Sequence, residues 1–217
     1  MRARAAAAPP PRPAARDDGP GVGERILSTA TDLFYREGVR AVGIQRVIDE
    51  AGIAKASLYA HYPSKDDLVA ACLARHAATA RAGIEARLAR PGLDPRARLL
   101  ALFDYQVESI AGADFRGCPF LNVNSEIAES AHPAKRVIAA QRAWLHDLIA
   151  GLVADAGATS PHQLAGTLVV LFDGSSASST IDADPAAARH ARWAAAQLLD
   201  AHLPGRRRRQ SRARRRR

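Results

Sequence analysis

The sequence predicts an all-α protein, and three observations carry that prediction. Aromatic residues make up only 5% of the 217 positions while alanine is abundant, which suits helices packed closely through small side chains. Apolar residues recur at helical spacing in one segment after another, as in Ile26-Leu27, Ala30 and Leu33-Phe34. Glycines and prolines punctuate these segments, at Gly38, Gly52, Pro63, Pro91-Gly92 and Pro133.

Length and composition set further bounds. A chain of 217 residues suits one or two small domains with a proper core. Cys72 and Cys118 are too few for a disulfide framework or a zinc-finger pattern, which fits a reducing cytoplasm. No apolar run reaches the ~18 residues needed to span a bilayer. The Arg-, Ala- and Pro-rich N-terminus is not followed by an apolar h-region, so no secretory signal and no membrane partner are expected. The net charge of +9 belongs to the ends: Arg206–Arg217 holds nine arginines and no acid, and residues 1–23 hold four arginines against Asp17 and Asp18. Between them, Glu24–Pro204 carries 18 basic and 20 acidic side chains, so basicity by itself says little about the folded part.

Taken in order, residues 1–22 lack apolar periodicity and are expected to form a disordered arm, a solvated tail or a segment reaching flanking phosphates. The first helix, about Glu24–Glu37, places Ile26, Leu27, Ala30, Leu33 and Phe34 on one stripe. A second helix follows from Ile44, Val47, Ile48 and Ala51 and ends at Gly52, where glycine accepts a left-handed conformation. The chain restarts at Ala54-Lys55 and stops at Pro63. Two short helices joined by a glycine turn form a helix-turn-helix, or else an ordinary helical hairpin within a core. The composition favours the first. The third helix has little to bury beyond Leu58 and Tyr62, while Lys55, Ser57, Tyr59 and His61 offer polar tips better suited to DNA.

A fourth helix, about Ser64–Leu88, carries Leu68, Ala71, Cys72, Ala78, Ile84 and Leu88 as its apolar positions, with Ser64 able to cap it. Pro91–Pro95 is a break, and a fifth helix spans about Pro95–Ala111. Gly112–Gly117 is a loop, and the sixth helix runs from Cys118 to about Ser130. The seventh, eighth and ninth are expected at about Pro133–Ala156, Ser160–Ile181 and Pro185–His202. Small residues dominate the last two, which makes them candidates for close helix pairing between subunits.

The run Ala51-Gly52-Ile53-Ala54-Lys55-Ala56-Ser57-Leu58-Tyr59-Ala60-His61-Tyr62-Pro63-Ser64-Lys65-Asp66-Asp67-Leu68 resembles the signature of the TetR family of one-component regulators. The helix before it, with Leu33-Phe34 and Gly38, resembles that family's first helix. The resemblance is specific over about residues 22–70 and architectural beyond. It implies a helix-turn-helix DNA-binding domain at 23–69, an effector-binding and dimerisation domain at 70–204, and an Arg-rich tail at 205–217. It also implies a cytoplasmic, nucleoid-associated homodimer that represses at a palindromic double-stranded DNA operator until a small-molecule effector, of unstated identity, releases it. The fourth helix would be the lever.

Carried over residue by residue, the DNA-binding set is Gln45 and Arg46 on the second helix, Lys55, Ala56, Ser57, Tyr59 and His61 on the third, and Lys65 as a phosphate clamp. Lys55 suits a phosphate or a guanine, Ser57 a base edge or phosphate, and Ala56 a thymine methyl. Ala54 stands where relatives often carry Ser or Thr, so the third helix lacks a side-chain cap, a loss of about 1 kcal/mol. Gly43 and Ala60 also depart from the common pattern. For the effector, the resemblance implies a pocket enclosed by the fourth to eighth helices. Its candidates are Phe103, Phe115, Phe120, Asn124, Gln141, Trp144, Phe172 and Asp173, each equally readable as core. Asp173, between apolar neighbours, must find a partner or face water. Cys118 follows Arg116-Gly117 at a helix start, where thiolate is favoured, so a thiol-based electrophile sensor is an alternative to a structural role. A rival of another class is a basic adaptor binding nucleic acid through Arg206–Arg217. No catalytic set, cofactor or metal site is expected: Cys72 and His76 lie one turn apart, but spacing supplies no third ligand.

Overall fold

The computed structural model describes residues 21–203. The expectations for the arm at 1–22 and the tail at 205–217 lie outside them, except that Gly21 and Val22 already open the first helix. The described chain runs through α1 (Val22–Glu37), α2 (Ile44–Ala51), α3 (Lys55–His61), α4 (Lys65–Leu88), α5 (Pro95–Ile110), α6 (Pro119–Glu126), α7 (Pro133–Asp155), α8 (Pro161–Asp182) and α9 (Ala186–His202). Among the described residues there is no strand.

Local chemistry sets the helix starts. Pro95, Pro119, Pro133 and Pro161 each occupy a first turn, where the missing N–H costs nothing. Ser64 Oγ accepts from the Asp67 N–H at 3.0 Å, and an Asp94 carboxylate oxygen accepts from the Ala97 N–H at 2.7 Å. Gly52 ends α2 in the left-handed region, φ 60° and ψ 47°.

Two expectations need correction. The sixth helix stops at Glu126 rather than Ser130, because Ile127 turns extended and drives its side chain into the core, 6% exposed. On α4 the buried alanine is Ala77, not Ala78, which is exposed; Leu73, Ala77, Ile84 and Leu88 keep the 3.6-residue stripe.

The chain builds two apolar cores. The first joins α1, α2 and α3 to the N-terminal half of α4 through Ile26, Phe34, Val47, Leu58, Leu68 and Leu73. It also takes in Val123, Ile127 and Ala134, so α6 and the start of α7 pack on the head. The second core centres on α5, whose Leu99, Leu102 and Phe103 meet α7, α8 and α9. The 24 residues of α4, about 36 Å long, put Cys72 in the first core and Ile84 and Leu88 in the second. α7 and α8 match a membrane span in length and average hydropathy, 1.2 over their best 18 residues. Each nevertheless has one face in the second core and another bearing exposed polar groups, such as Arg136, Arg142 and Asp147 on α7.

Candidate nucleic-acid interface

The α2–turn–α3 unit is held from one side only. Val47, Ile48 and Leu58 are buried against α1, and Leu58 is the one fully buried residue of α3. A seven-residue helix anchored by a single leucine leaves its remaining face to solvent. Lys55, Ala56, Tyr59, Ala60 and His61 are exposed and Ser57 is half-buried. Ala54 caps α3 with backbone alone, in the extended conformation and without a side-chain hydrogen bond.

The predicted DNA-binding residues fall into three groups. Lys55, Ala56, Ser57 and Tyr59 share the open side of α3, and among the described residues Lys55 makes no ion pair. Gln45 and Arg46 stand on the first turn of α2, both exposed. Gln45 donates to an Asp49 carboxylate oxygen at 2.8 Å, and Arg46 pairs with Glu37 at 3.3 Å and Glu50 at 3.6 Å. Exposed pairs of this kind contribute no more than about 1 kcal/mol, so a phosphate can take the guanidinium from them.

His61 and Lys65 depart from that surface. The His61 ring lies on the first turn of α1, where a Cβ on Gly23 would come within 3.0 Å of it. Tyr62 packs beside it and turns its hydroxyl toward the Gly23 carbonyl at 3.5 Å. The end of α3 is thereby set against the N-terminus of α1, whose Gly21 cap leaves the first N–H groups without side-chain partners, the arrangement that favours phosphate. Lys65 folds over the Phe34 ring, its ammonium 5.9 Å from the centroid. Burial holds its pKa below the ordinary lysine value, against the opposing charges of Asp66 and Glu126. Its aliphatic stem covers an apolar ring.

The eight residues expected around an effector fall in several parts of the described structure. Phe103 and Phe172 meet edge to face, centroids 5.9 Å apart, inside the second core. Gln141 accepts from the Arg81 Nε–H at 2.7 Å, and the same guanidinium lies 5.1 Å from the Trp144 ring. Asp173 has found its partner in Arg142, which meets the need of a carboxylate in that setting. Asn124 is exposed and accepts from Lys135 at 2.9 Å. Phe115 is half-buried in its loop, and Phe120 packs on the head core rather than in the body.

Of the two readings of Cys118, the structure favours the structural role over a reactive thiol. It precedes α6 as its N-cap, but burial pushes the thiol pKa up, with the Asp173 charge adding, against hydrogen bonds from the Leu121 and Phe120 backbone. Arg116, which was to favour the thiolate, instead directs its Nη1 to the Tyr35 carbonyl at 3.0 Å. Iodoacetamide is therefore expected to alkylate Cys118 more slowly than free cysteine at pH 8, accelerating only as pH passes the ordinary thiol range. Alkylation as fast as the free amino acid, followed by mass spectrometry, would revive the sensor reading.

Sequence reasoning missed the groups that join head to body. Glu126, at the end of α6, accepts from the Arg40 backbone N–H at 2.8 Å and faces Gly38, where φ is +93°. The Tyr35 hydroxyl donates to the Gly117 carbonyl at 3.0 Å and accepts from the Arg116 N–H at 2.8 Å. Gly117 sits at φ +100° with the Thr180 hydroxyl 2.9 Å from where a Cβ would stand, so a side chain fits there neither in conformation nor in space. A second missed group is the Gln106 amide, buried and donating to Ser176 Oγ at 2.6 Å. None of these has a local spacing signal, since each pairs residues more than 60 positions apart.

Residues 26–72 match a family model described as bacterial regulatory proteins, tetR family, and residues 95–195 one described as tetracyclin repressor-like, C-terminal domain. The fold is shared with a crystal structure of a TetR-family transcriptional regulator from Streptomyces coelicolor, 34% identical, covering 83% of this chain and 95% of that one with a TM-score of 0.78. The chain belongs to the TetR family. A TetR-type regulator from Streptomyces avermitilis is similar to the same degree, 35% identical over 83% of this chain and 97% of that chain, with a TM-score of 0.73. Two further relatives align over shorter segments. The transcriptional repressor KstR2 of Rhodococcus jostii is 36% identical over 105 residues, 47% of this chain and 49% of that protein. The transcriptional activator FasR of Mycolicibacterium smegmatis is 36% identical over 77 residues, 36% of this chain and 35% of that protein. The matched segment thus spans between about a third and a half of those two relatives' length. This TetR-family chain is accordingly a DNA-binding transcriptional regulator, and the thiol-sensor and Arg-tail alternatives are not favoured.

Proposed function

We propose that the chain is a repressor that binds a palindromic double-stranded DNA operator as a homodimer and is released by a small-molecule effector, with 23–69 as the reading head and 70–204 as the effector and dimerisation unit. The observation that carries the reading is α3, buried through Leu58 alone and open along Lys55, Ala56, Ser57 and Tyr59. Such a helix enters a major groove with its start leading, Lys55 first, while α2 offers Gln45 and Arg46 to the backbone. His61 supports the α1 N-terminus at a flanking phosphate, and Lys65 contributes by bracing Phe34 rather than by reaching DNA.

Selection from a random duplex pool with the full-length protein, at about physiological salt, tests this directly. The expected result is an inverted repeat whose half-sites lie one helical turn or more apart. Enrichment of no sequence, with binding that only tracks salt, would leave the Arg206–Arg217 adaptor as the better account. On the selected site, Lys55→Ala should weaken binding by about 1–3 kcal/mol, roughly five- to 150-fold, as measured by fluorescence anisotropy. Loss that is uniform over mismatched sites marks a phosphate contact, and loss confined to one base position marks a guanine contact.

A further inference from the structure

Three polar links hold the reading head from the body side, each to a different part of the head. The Tyr35 hydroxyl, on α1, donates to the Gly117 carbonyl at 3.0 Å and accepts from the Arg116 N–H at 2.8 Å. In the turn after α1, the Arg40 N–H donates to a Glu126 carboxylate oxygen at 2.8 Å. At the start of α4, the Asp66 carboxylate stands 3.3 Å from Nε2 of His132, whose Nδ1 accepts from the Ala134 N–H at 3.1 Å. Between these links Val123, Ile127 and Ala134 enter the head core. The segment 116–134 therefore grips the head at three separated points, where α4 alone would leave one helix to bend between two cores.

We propose that Glu126 is a positioning residue for operator recognition: through the Arg40 N–H it fixes the angle of the head on the body, and so the half-site spacing that the dimer accepts. This role rests on the reading of the chain as a homodimer on a palindromic operator.

Glu126 stands where local chemistry disfavours an acid. It is the last residue of α6, at the end where the helix dipole favours a cation. Its partners lie across the chain instead. Both carboxylate oxygens face the turn after α1, since a Cβ on Gly38 would come 3.2 Å from Oε1 and 3.3 Å from Oε2. Gly38 has φ +93°, a conformation that suits glycine, so no side chain separates that backbone from the carboxylate. Lys65, on the first turn of α4, interacts with the same negative charge. A hydrogen bond from a backbone N–H to a carboxylate is charge-assisted, and stronger than one to a neutral acceptor.

The turn held in this way leads straight to the DNA-reading surface. Val39 and Val42 are buried within it, the Val42 N–H donates to the Gly38 carbonyl at 3.3 Å, and Gly43 caps α2 with backbone alone. Arg46, on the first turn of α2, pairs with Glu37 beside Gly38. Holding the Arg40 backbone therefore holds the start of α2, and α3 follows after Gly52. In a two-fold dimer the head angle sets the separation of the two recognition helices, which the half-site spacing mirrors. One added base pair moves the half-sites about 3.4 Å apart and rotates them by roughly 35°. A firmly held head cannot follow that displacement, and a loosened one can.

The test compares full-length wild type, Glu126→Ala and Glu126→Gln on three duplexes. These are the selected operator, the same operator with one base pair added or removed at its centre, and a single half-site. Glutamine keeps an oxygen for the Arg40 N–H and loses the charge. Respacing is expected to weaken wild-type binding by about tenfold or more, the order of one mismatched base pair, and Glu126→Ala binding by no more than about threefold. Glu126→Gln should keep most of the wild-type discrimination, and half-site affinity should be the same in all three because no DNA contact is removed. Amide exchange reads the link directly. The Arg40 amide should be protected in wild type and Glu126→Gln and exchange faster in Glu126→Ala, with the Leu58 amide unchanged as the sign of a folded head. Should alanine loosen the head core, Glu126→Asp, which keeps the charge and shortens the reach, is the second variant.

Unchanged spacing discrimination in Glu126→Ala and Glu126→Asp, or an Arg40 amide no faster than in wild type, overturns the role. Discrimination lost equally in Glu126→Gln overturns the hydrogen bond as its cause. An equal loss of affinity on every duplex, with discrimination kept, marks a merely structural residue and also overturns it. Failure of the wild type to select any inverted repeat counts against the homodimeric repressor reading instead, and the Arg40 amide then decides the link by itself.

Discussion

Leu58→Ala strongly weakens operator binding while leaving the body folded: that is the expected result with the largest effect on the head. Leu58 is 0% exposed and is the only residue of α3 fully enclosed by the head core. Truncating a buried leucine costs about 2–5 kcal/mol through lost transfer energy and the cavity left behind. α3 has little else to hold it, since Ala54 supplies no side-chain cap and Tyr62 contributes one long hydrogen bond. The head is small, so a loss of this size is a large part of its stability. Operator affinity should fall on the order of 30-fold or more, and amide exchange should accelerate through α2 and α3. Amides of α5 and α8, in the separate second core, should keep their protection. Operator binding within twofold of wild type would show that α3 is held by something other than Leu58.

On the homodimer reading proposed above, Trp193→Asp is expected to yield a monomer. α8 and α9 pack side by side and each keeps an outward stripe: Val170, Gly174, Ala177 and Ile181 on α8, Trp193 and Gln197 on α9, all exposed. Three of these are large apolar residues left open in the single chain, Val170 at 66%, Ile181 at 83% and Trp193 at 65%. Glycine and alanine between them let a second pair of helices approach closely, and a two-fold axis would set the same stripe on both subunits. A tryptophan at the centre of such an interface is the residue type that contributes 2 kcal/mol or more on truncation, and a buried aspartate adds unpaired charge. Sedimentation velocity at micromolar concentration should report about twice the 23.1 kDa chain mass for the wild type and one chain mass for the variant. Binding to the full palindrome should collapse toward that of a single half-site. A variant that still sediments as a dimer would move the interface away from α8 and α9.

Much of the head was legible because its logic is local. The spacing of Ile44, Val47 and Ile48, the left-handed Gly52, the lone Leu58 and the cap at Ser64 each act within a few residues, and all appear as read. The exposure of Lys55, Ala56 and Tyr59 follows from the same pattern, since a short helix with one apolar anchor has only one side to bury. The body was less legible. Its helices were placed to within a few residues, but the candidate effector residues were selected by type, and type does not say which neighbours arrive from elsewhere in the chain. Gln141 and Trp144 belong with Arg81, Asp173 with Arg142, and Phe120 with the head.

What this sequence determined by itself is the succession of helices, the reading head and the face that head presents, because periodicity, caps and turn residues are interactions between near neighbours. Only the tertiary structure decided how head and body are joined. Tyr35 with Gly117, Arg40 with Glu126, and the His76 ring against Tyr35 are pairs dozens of residues apart. Burial decided their chemistry as well: enclosure keeps Cys118 protonated and His76 neutral, where the neighbouring residues in sequence argued for a thiolate and were silent about the imidazole.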